Sequence, residues 1–134
     1  MGIVLDTDVI IRGERGNFDL DGFLATCGDS PVRIAAVTVA ELLHGLERAS
    51  PSRRPVRESY LTSILATVSS LPYSDLTARI HARIWARLAG AGVIIGAYDM
   101  IIAATCIEHD LELATFNVRH FERIEGLRLV EVSA

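Results

Sequence analysis

The sequence predicts an α/β fold built on a central, mostly parallel sheet of four to five strands. Three observations predict it. Short apolar runs alternate with longer segments whose apolar residues recur every three or four positions, the pattern of strands joined by crossover helices. Half of the residues are apolar, enough for a buried core and too many for a disordered chain. A length of 134 residues accommodates one domain, spanning 1–134, and no second full-sized core.

Each element has its own warrant. Gly2-Ile3-Val4-Leu5 reads as a buried first strand, and Asp6-Thr7-Asp8 as polar punctuation that caps a short helix from Val9. Phe18, Phe23, Leu24 and Cys27 have helical spacing, closed by Gly28-Asp29-Ser30-Pro31. Val32 to Ala36 is a second strand. Thr38-Val39-Ala40-Glu41 matches a capping box, so a helix is expected from Thr38 through Glu47. After a loop over Ser50 to Pro55, Val56, Tyr60, Leu61, Ile64, Leu65 and Val68 trace an amphipathic helix whose apolar face is a candidate contact with another chain.

Leu71-Pro72-Tyr73 reads as a third strand. Ser74-Asp75 opens a helix with Leu76, Ile80, Ile84 and Leu88 on one face, broken by Gly90-Ala91-Gly92. Tyr98 to Glu108 is a strongly apolar helix. Leu111 to Thr115 is a fourth strand, Val118 to Ile124 a short helix and Leu127 to Val130 a fifth strand.

Composition excludes several chemistries. All 13 basic residues are arginine and lysine is absent, which removes P-loop nucleotide binding, Schiff-base catalysis and Ser-x-x-Lys acylation. The net charge of −4 does not steer the whole protein onto nucleic acid, so any such contact needs local arginine ridges or metal ions. Cys27 and Cys106 form no CxxC, and their sparseness fits a reducing cytoplasm. No signal peptide is visible. The uncharged, apolar run Leu88 to Tyr98 is too short and too glycine-rich for a membrane span.

In a parallel α/β fold, functional groups gather beyond the carboxyl ends of the strands. Four residues stand there: Asp6 after the first strand, Glu41 opening the helix after the second, Asp99 opening the long apolar helix and Asn117 after the fourth strand. Singly, each reads as well as a helix cap or dipole partner. Together they form three acids and an amide at one end of one sheet. Clustered carboxylates raise each other's pKa, and a hard divalent cation, Mg²⁺ or Mn²⁺, relieves them.

Those residues carry a resemblance. Ile3-Val4-Leu5-Asp6-Thr7-Asp8-Val9-Ile10 resembles the opening motif of the PIN-domain ribonucleases, and Thr38-Val39-Ala40-Glu41-Leu42 with Gly45 resembles their second. Tyr98-Asp99-Met100-Ile101-Ile102-Ala103-Ala104 is similar to the third, and Thr115-Phe116-Asn117-Val118-Arg119-His120-Phe121 to the fourth. The matches come in order, span nearly the whole chain, and most resemble the VapC-type toxins of bacterial toxin–antitoxin pairs. The resemblance implies a PIN-like three-layer α/β/α fold. It implies a Mg²⁺-dependent endoribonuclease whose metal-binding acids are Asp6, Asp99 and Glu41, with Asn117 where some members have a fourth acid. Thr7 and Thr115 would supply hydroxyls, and Asp8 reads as an outer or capping residue. It implies a homodimer, a cognate VapB-type antitoxin forming a hetero-oligomer, and operator DNA contacted only through that antitoxin.

For the RNA substrate, Arg79, Arg83 and Arg87 form one ridge at i, i+4 and i+8, and Arg119 lies beside Asn117 with His120. A solvated helix face is the commoner reading of such a ridge. His44, three residues after Glu41, reads as a surface histidine or a neighbour of the site. Cys106 and His109 have zinc-like spacing but lack a second pair. Two rival functions are a non-catalytic antitoxin-binding module of a DNA-binding repressor complex and a metal-dependent phosphatase. RNA cleavage and phosphomonoester turnover discriminate them.

Overall fold

A computed structural model describes residues 2–133, so the two ends of the predicted span 1–134 lie outside the described residues. In chain order the elements are β1 (Ile3–Leu5), α1 (Thr7–Glu14), α2 (Leu20–Thr26), β2 (Val32–Ala35), α3 (Ala36–Glu47) and α4 (Arg54–Thr67). β3 (Ser69–Leu71), α5 (Asp75–Gly90), α6 (Ala97–His109), β4 (Glu112–Thr115), α7 (Val118–Phe121) and β5 (Leu129–Glu131) complete it. The five strands lie in the order β3-β2-β1-β4-β5, every pair parallel. The chain steps outward from β1 to β3, then returns to β4 on the other side of β1. The order therefore reverses between β1 and β4, which opens a crevice beyond their carboxyl ends.

Alternation along the strands splits the core into two layers. Val4, Ala35, Leu71 and Leu113 face a cluster with Ile84, Leu88, Ile102 and Phe121 from α5, α6 and α7. Ile3, Leu5, Ile34 and Ala114 face a cluster with Val9, Ile10, Leu42, Leu46, Leu61 and Ile64 from α1, α3 and α4. The expected α/β/α layering with a five-stranded parallel sheet is what the chain adopts.

Local departures from the sequence reading have identifiable causes. β3 ends at Leu71, because its ladder pairs Arg33 with Ser69 and Ala35 with Leu71 and Pro72 has no N–H to extend it. Leu111 lies outside β4, tied back to the end of α6: Asp110 takes the left-handed conformation (φ 55°) and Leu111 N–H donates to Cys106 O at 2.9 Å. Gly126 (φ 88°) delays β5 to Leu129.

On α5 the inward positions are Thr77, His81, Ile84 and Leu88, while Leu76 is 52% exposed. Two hydroxyl and imidazole groups in the core interrupt the apolar periodicity that places Leu76 inside. Ser74 does cap this helix, in a true capping box with Thr77. The α4 face bearing Tyr60, Leu61, Ile64 and Leu65 packs into the second core cluster, so it is not a free contact surface. Among the described residues, no helix is long and apolar enough to cross a membrane.

Candidate active site

Asp6 is the single residue between β1 and α1, and its backbone N–H donates to Ala114 O of β4 at 2.9 Å. That bond holds it over the crevice. The sequence reading expects a helix-capping role, but the side chain makes no cap bond. Instead Thr115 Oγ1, at the end of β4, donates to Asp6 Oδ2 at 2.8 Å. Thr115 Oγ1 in turn accepts from the backbone N–H of Asn117 at 2.9 Å. Asn117 likewise caps α7 by position alone, its side chain making no cap bond.

The capping-box reading of Thr38 and Glu41 is also corrected. α3 starts at Ala36, which puts Thr38 inside the helix, and the cap position at Ala35 has no side-chain bond. Three residues apart, Thr38 and Glu41 share a face. Both meet Thr7, whose Oγ1 lies 2.9 Å from Thr38 Oγ1 and donates to Glu41 Oε1 at 2.7 Å. Thr7 is thus the pivot that joins α1 to α3 beneath the crevice.

Asp99 sits in the first turn of α6, and His120 Nε2 of α7 lies 2.9 Å from its Oδ2. The sequence reading places His120 near the site without assigning it this partner. The visible signal is only its adjacency to the Asn117 motif, since a contact across 21 residues has no local signature.

Electrostatics shows that the acids share one region. Burial pushes the Asp6 carboxyl up from 3.8 to about 6; the Thr115 hydrogen bond opposes this, and the charges of Asp99 and Asp8 add to it. Glu41 is raised by burial and by Asp99, with the Thr7 hydrogen bond opposing. Asp99 therefore acts on both other acids. No arginine pairs with Asp6, Glu41 or Asp99 among the described residues; every arginine ion pair goes to another carboxylate.

The PIN domain profile matches residues 3–127. The chain belongs to the PIN-domain family. Ribonuclease VapC1 of Rickettsia felis is 32% identical across 100% of this chain and 98% of its own length. Ribonuclease VapC10 of Mycobacterium tuberculosis is 35% identical across 94% of this chain and 90% of its own. A crystal structure of DNA-bound VapBC from Salmonella typhimurium contains a chain that superposes with a TM-score of 0.89 at 25% identity, covering 98% of each chain. Within its family this PIN domain sides with the proteins named VapC.

Around the acids, the remaining predicted residues of the PIN domain divide clearly. Asp8 stands in the first turn of α1, tied to Arg12 Nε at 2.9 Å, and reaches Asp6 only through its charge. His44 is exposed. Cys106 is a buried thiol, pushed up to about 12 by burial and by Asp6's charge, which makes it inert. The ridge of Arg79, Arg83 and Arg87 is exposed along α5, but Arg79 is bound to Asp75 at 2.9 Å and Arg87 to Glu125 at 2.7 Å. Arg119 is exposed on α7. None of these arginines bonds to an acid of the site.

Whether this PIN domain suits a divalent cation is a question of donors. Its wholly or partly buried carboxylates repel one another, lack arginine partners and are flanked by the hydroxyls of Thr7 and Thr115, an all-oxygen set that suits a hard cation. Among the described residues, no group of three or more His, Cys, Asp or Glu side chains is already placed to hold one. Each acid is turned toward a protein partner: Asp6 toward Thr115, Glu41 toward Thr7, Asp99 toward His120. The donor chemistry fits, and the side chains must reorient to use it.

Proposed function

We propose that this PIN domain is the toxin of a toxin–antitoxin pair and a Mg²⁺- or Mn²⁺-dependent endoribonuclease acting in the cytoplasm. The observation that carries the reading is the repulsion of both Asp6 and Glu41 by Asp99, with no arginine among the described residues paired to any of the three. Asp6 and Asp99 would hold the cation, with Glu41 and Asn117 completing the donor set. When bound, the cation supplies Lewis-acid polarisation of the scissile phosphate and a more acidic water.

The chain's own residues do the rest. Thr115 holds the Asp6 carboxylate by a hydrogen bond, and Thr7 orients that of Glu41. Glu41, raised by burial and by Asp99, or Asp99 itself would orient or deprotonate the attacking water. His120 holds the Asp99 carboxylate across 2.9 Å. The DNA-bound VapBC complex of Salmonella typhimurium supports a VapB-type antitoxin as partner. A homodimeric toxin unit and operator DNA contacted through the antitoxin are part of the same proposal. An antitoxin arginine would pair bidentately with the uncompensated acids.

The test is cleavage of RNA by purified protein with Mg²⁺, compared with Asp99→Asn. Cleavage abolished by the variant and by EDTA supports the reading. Equal cleavage by the variant overturns it, and turnover of small phosphomonoesters with RNA left intact makes the protein a phosphatase.

A further inference from the structure

We propose that the cleft between the far ends of α1 and α3 and the start of α4 is a phosphodiester-binding subsite that holds RNA backbone outside the acidic centre. It rests on the ribonuclease reading and adds a site which that reading does not contain. The cleft encloses about 630 Å³ and is lined by Arg15, Arg48, Arg53 and Arg57 together with Ser50 and Ser52. Its single carboxylate is Glu14, so the lining carries a formal charge of 4 − 1 = +3 within a chain of net −4. Such a concentration focuses positive potential where the rest of the molecule repels nucleic acid.

Arg57 is the fixed floor. Its Nε donates to Glu14 Oε2 at 2.8 Å and its Nη1 to Gly45 O at 3.1 Å. A Cβ on Gly45 would stand 3.2 Å from Arg57 Nη2, so glycine leaves room for this guanidinium. Arg15, Arg48 and Arg53 are exposed, and among the described residues none forms an ion pair.

Helix electrostatics explains part of this cluster. Arg15 and Arg48 are the C-caps of α1 and α3, where a cation complements the dipole. Arg53 is the N-cap of α4, where a cation opposes the dipole and an anion is favoured. Three guanidinium groups without an ion pair among the described residues line one cleft, beside Ser50 and Ser52, whose hydroxyls lie 3.3 Å apart, and make a receptor for phosphate oxygens. What favours a polyanion here is charge: four arginines face the cleft against one carboxylate, while Ala49, Val56, Tyr60 and the arginine stems supply its apolar area. Arg15 lies eight residues beyond Thr7 along α1, about 12 Å, and Arg48 seven residues beyond Glu41 along α3, about 10 Å. A strand leaving the acids along these two helices reaches the cleft.

The experiment follows binding of an unstructured single-stranded RNA by fluorescence anisotropy in EDTA, across a salt titration. Arg48→Ala/Arg53→Ala is expected to weaken binding and to reduce the slope of log K against log salt by about 1.4, or about 0.7 for each phosphate no longer neutralised. Arg48→Lys/Arg53→Lys should retain the slope. With Mg²⁺, the alanine pair should raise KM for long RNA while leaving kcat, and turnover of a dinucleotide, unchanged. A slope unchanged in the alanine pair overturns the subsite, whereas the ribonuclease reading stands or falls separately on whether RNA is cut at all. Loss of an acidic protein partner's binding with the RNA slope intact assigns the cleft to protein and also overturns the proposal.

Discussion

Replacing Asp6 by asparagine should make the metal-free protein more stable at neutral pH while ending cleavage. Asp6 is 6% exposed, and its carboxyl is raised from 3.8 to about 6, by burial first, against the Thr115 hydrogen bond, with Asp99 and Asp8 adding to it. The folded protein therefore keeps a proton that the unfolded chain releases between about pH 4 and pH 6. Stability falls through that window by about 1.4 kcal/mol per pH unit and is level above it. About two units amount to about 3 kcal/mol of destabilisation at pH 7 and beyond. Asparagine removes the charge and keeps the shape. It weakens one charge-assisted hydrogen bond, from Thr115 at 2.8 Å, at a cost of about 1 kcal/mol. The net gain is about 2 kcal/mol at pH 8, vanishing and reversing toward pH 4. Urea denaturation in EDTA across this range measures it. A variant no more stable than the parent at pH 8, or a difference that ignores pH, would refute the reasoning.

Thr115→Val should lower stability by about 2 kcal/mol at pH 8, because it strips the hydroxyl from a buried carboxylate and from the Asn117 N–H; the loss shrinks near pH 4, and urea titration at both values checks it. Arg57→Ala should cost about 2–3 kcal/mol by leaving the largely buried Glu14 unpaired and removing the bond to Gly45 O, seen as a lower denaturation midpoint with an unchanged m-value. Mg²⁺ at about a hundred times its dissociation constant should stabilise the parent by about 2.7 kcal/mol and Asp6→Asn by far less, in thermal melts with and without the ion. Equal stabilisation of both proteins would remove Asp6 from the ion's donor set.

Much of the fold is legible because period-2 and period-3.6 patterns report burial directly. Val4 against Ile3 and Leu5 shows the two faces of β1, and Leu42 with Leu46 shows the buried stripe of α3. Periodicity misleads where polar groups sit inside. Thr77 and His81 occupy inward positions on α5, and Thr38 is fully buried although its sequence context matches a cap. A capping box and a buried Thr/Glu pair at i, i+3 look identical until another residue, here Thr7, claims both side chains.

The positions of Asp6 and Asn117 between strand and helix, and of Asp99 in the first turn of α6, were determined by the sequence alone, where apolar runs give way to polar residues. Glu41, expected near a helix start, stands in the middle of α3. What those side chains touch was decided by tertiary structure. Asp6 meets Thr115 across 109 residues, Glu41 meets Thr7 across 34 and Asp99 meets His120 across 21. Periodicity encodes which face of an element is buried, because that depends on near neighbours in the chain. The partner of a buried polar group depends on which elements the sheet order brings together, and that reversal between β1 and β4 is written in no single segment.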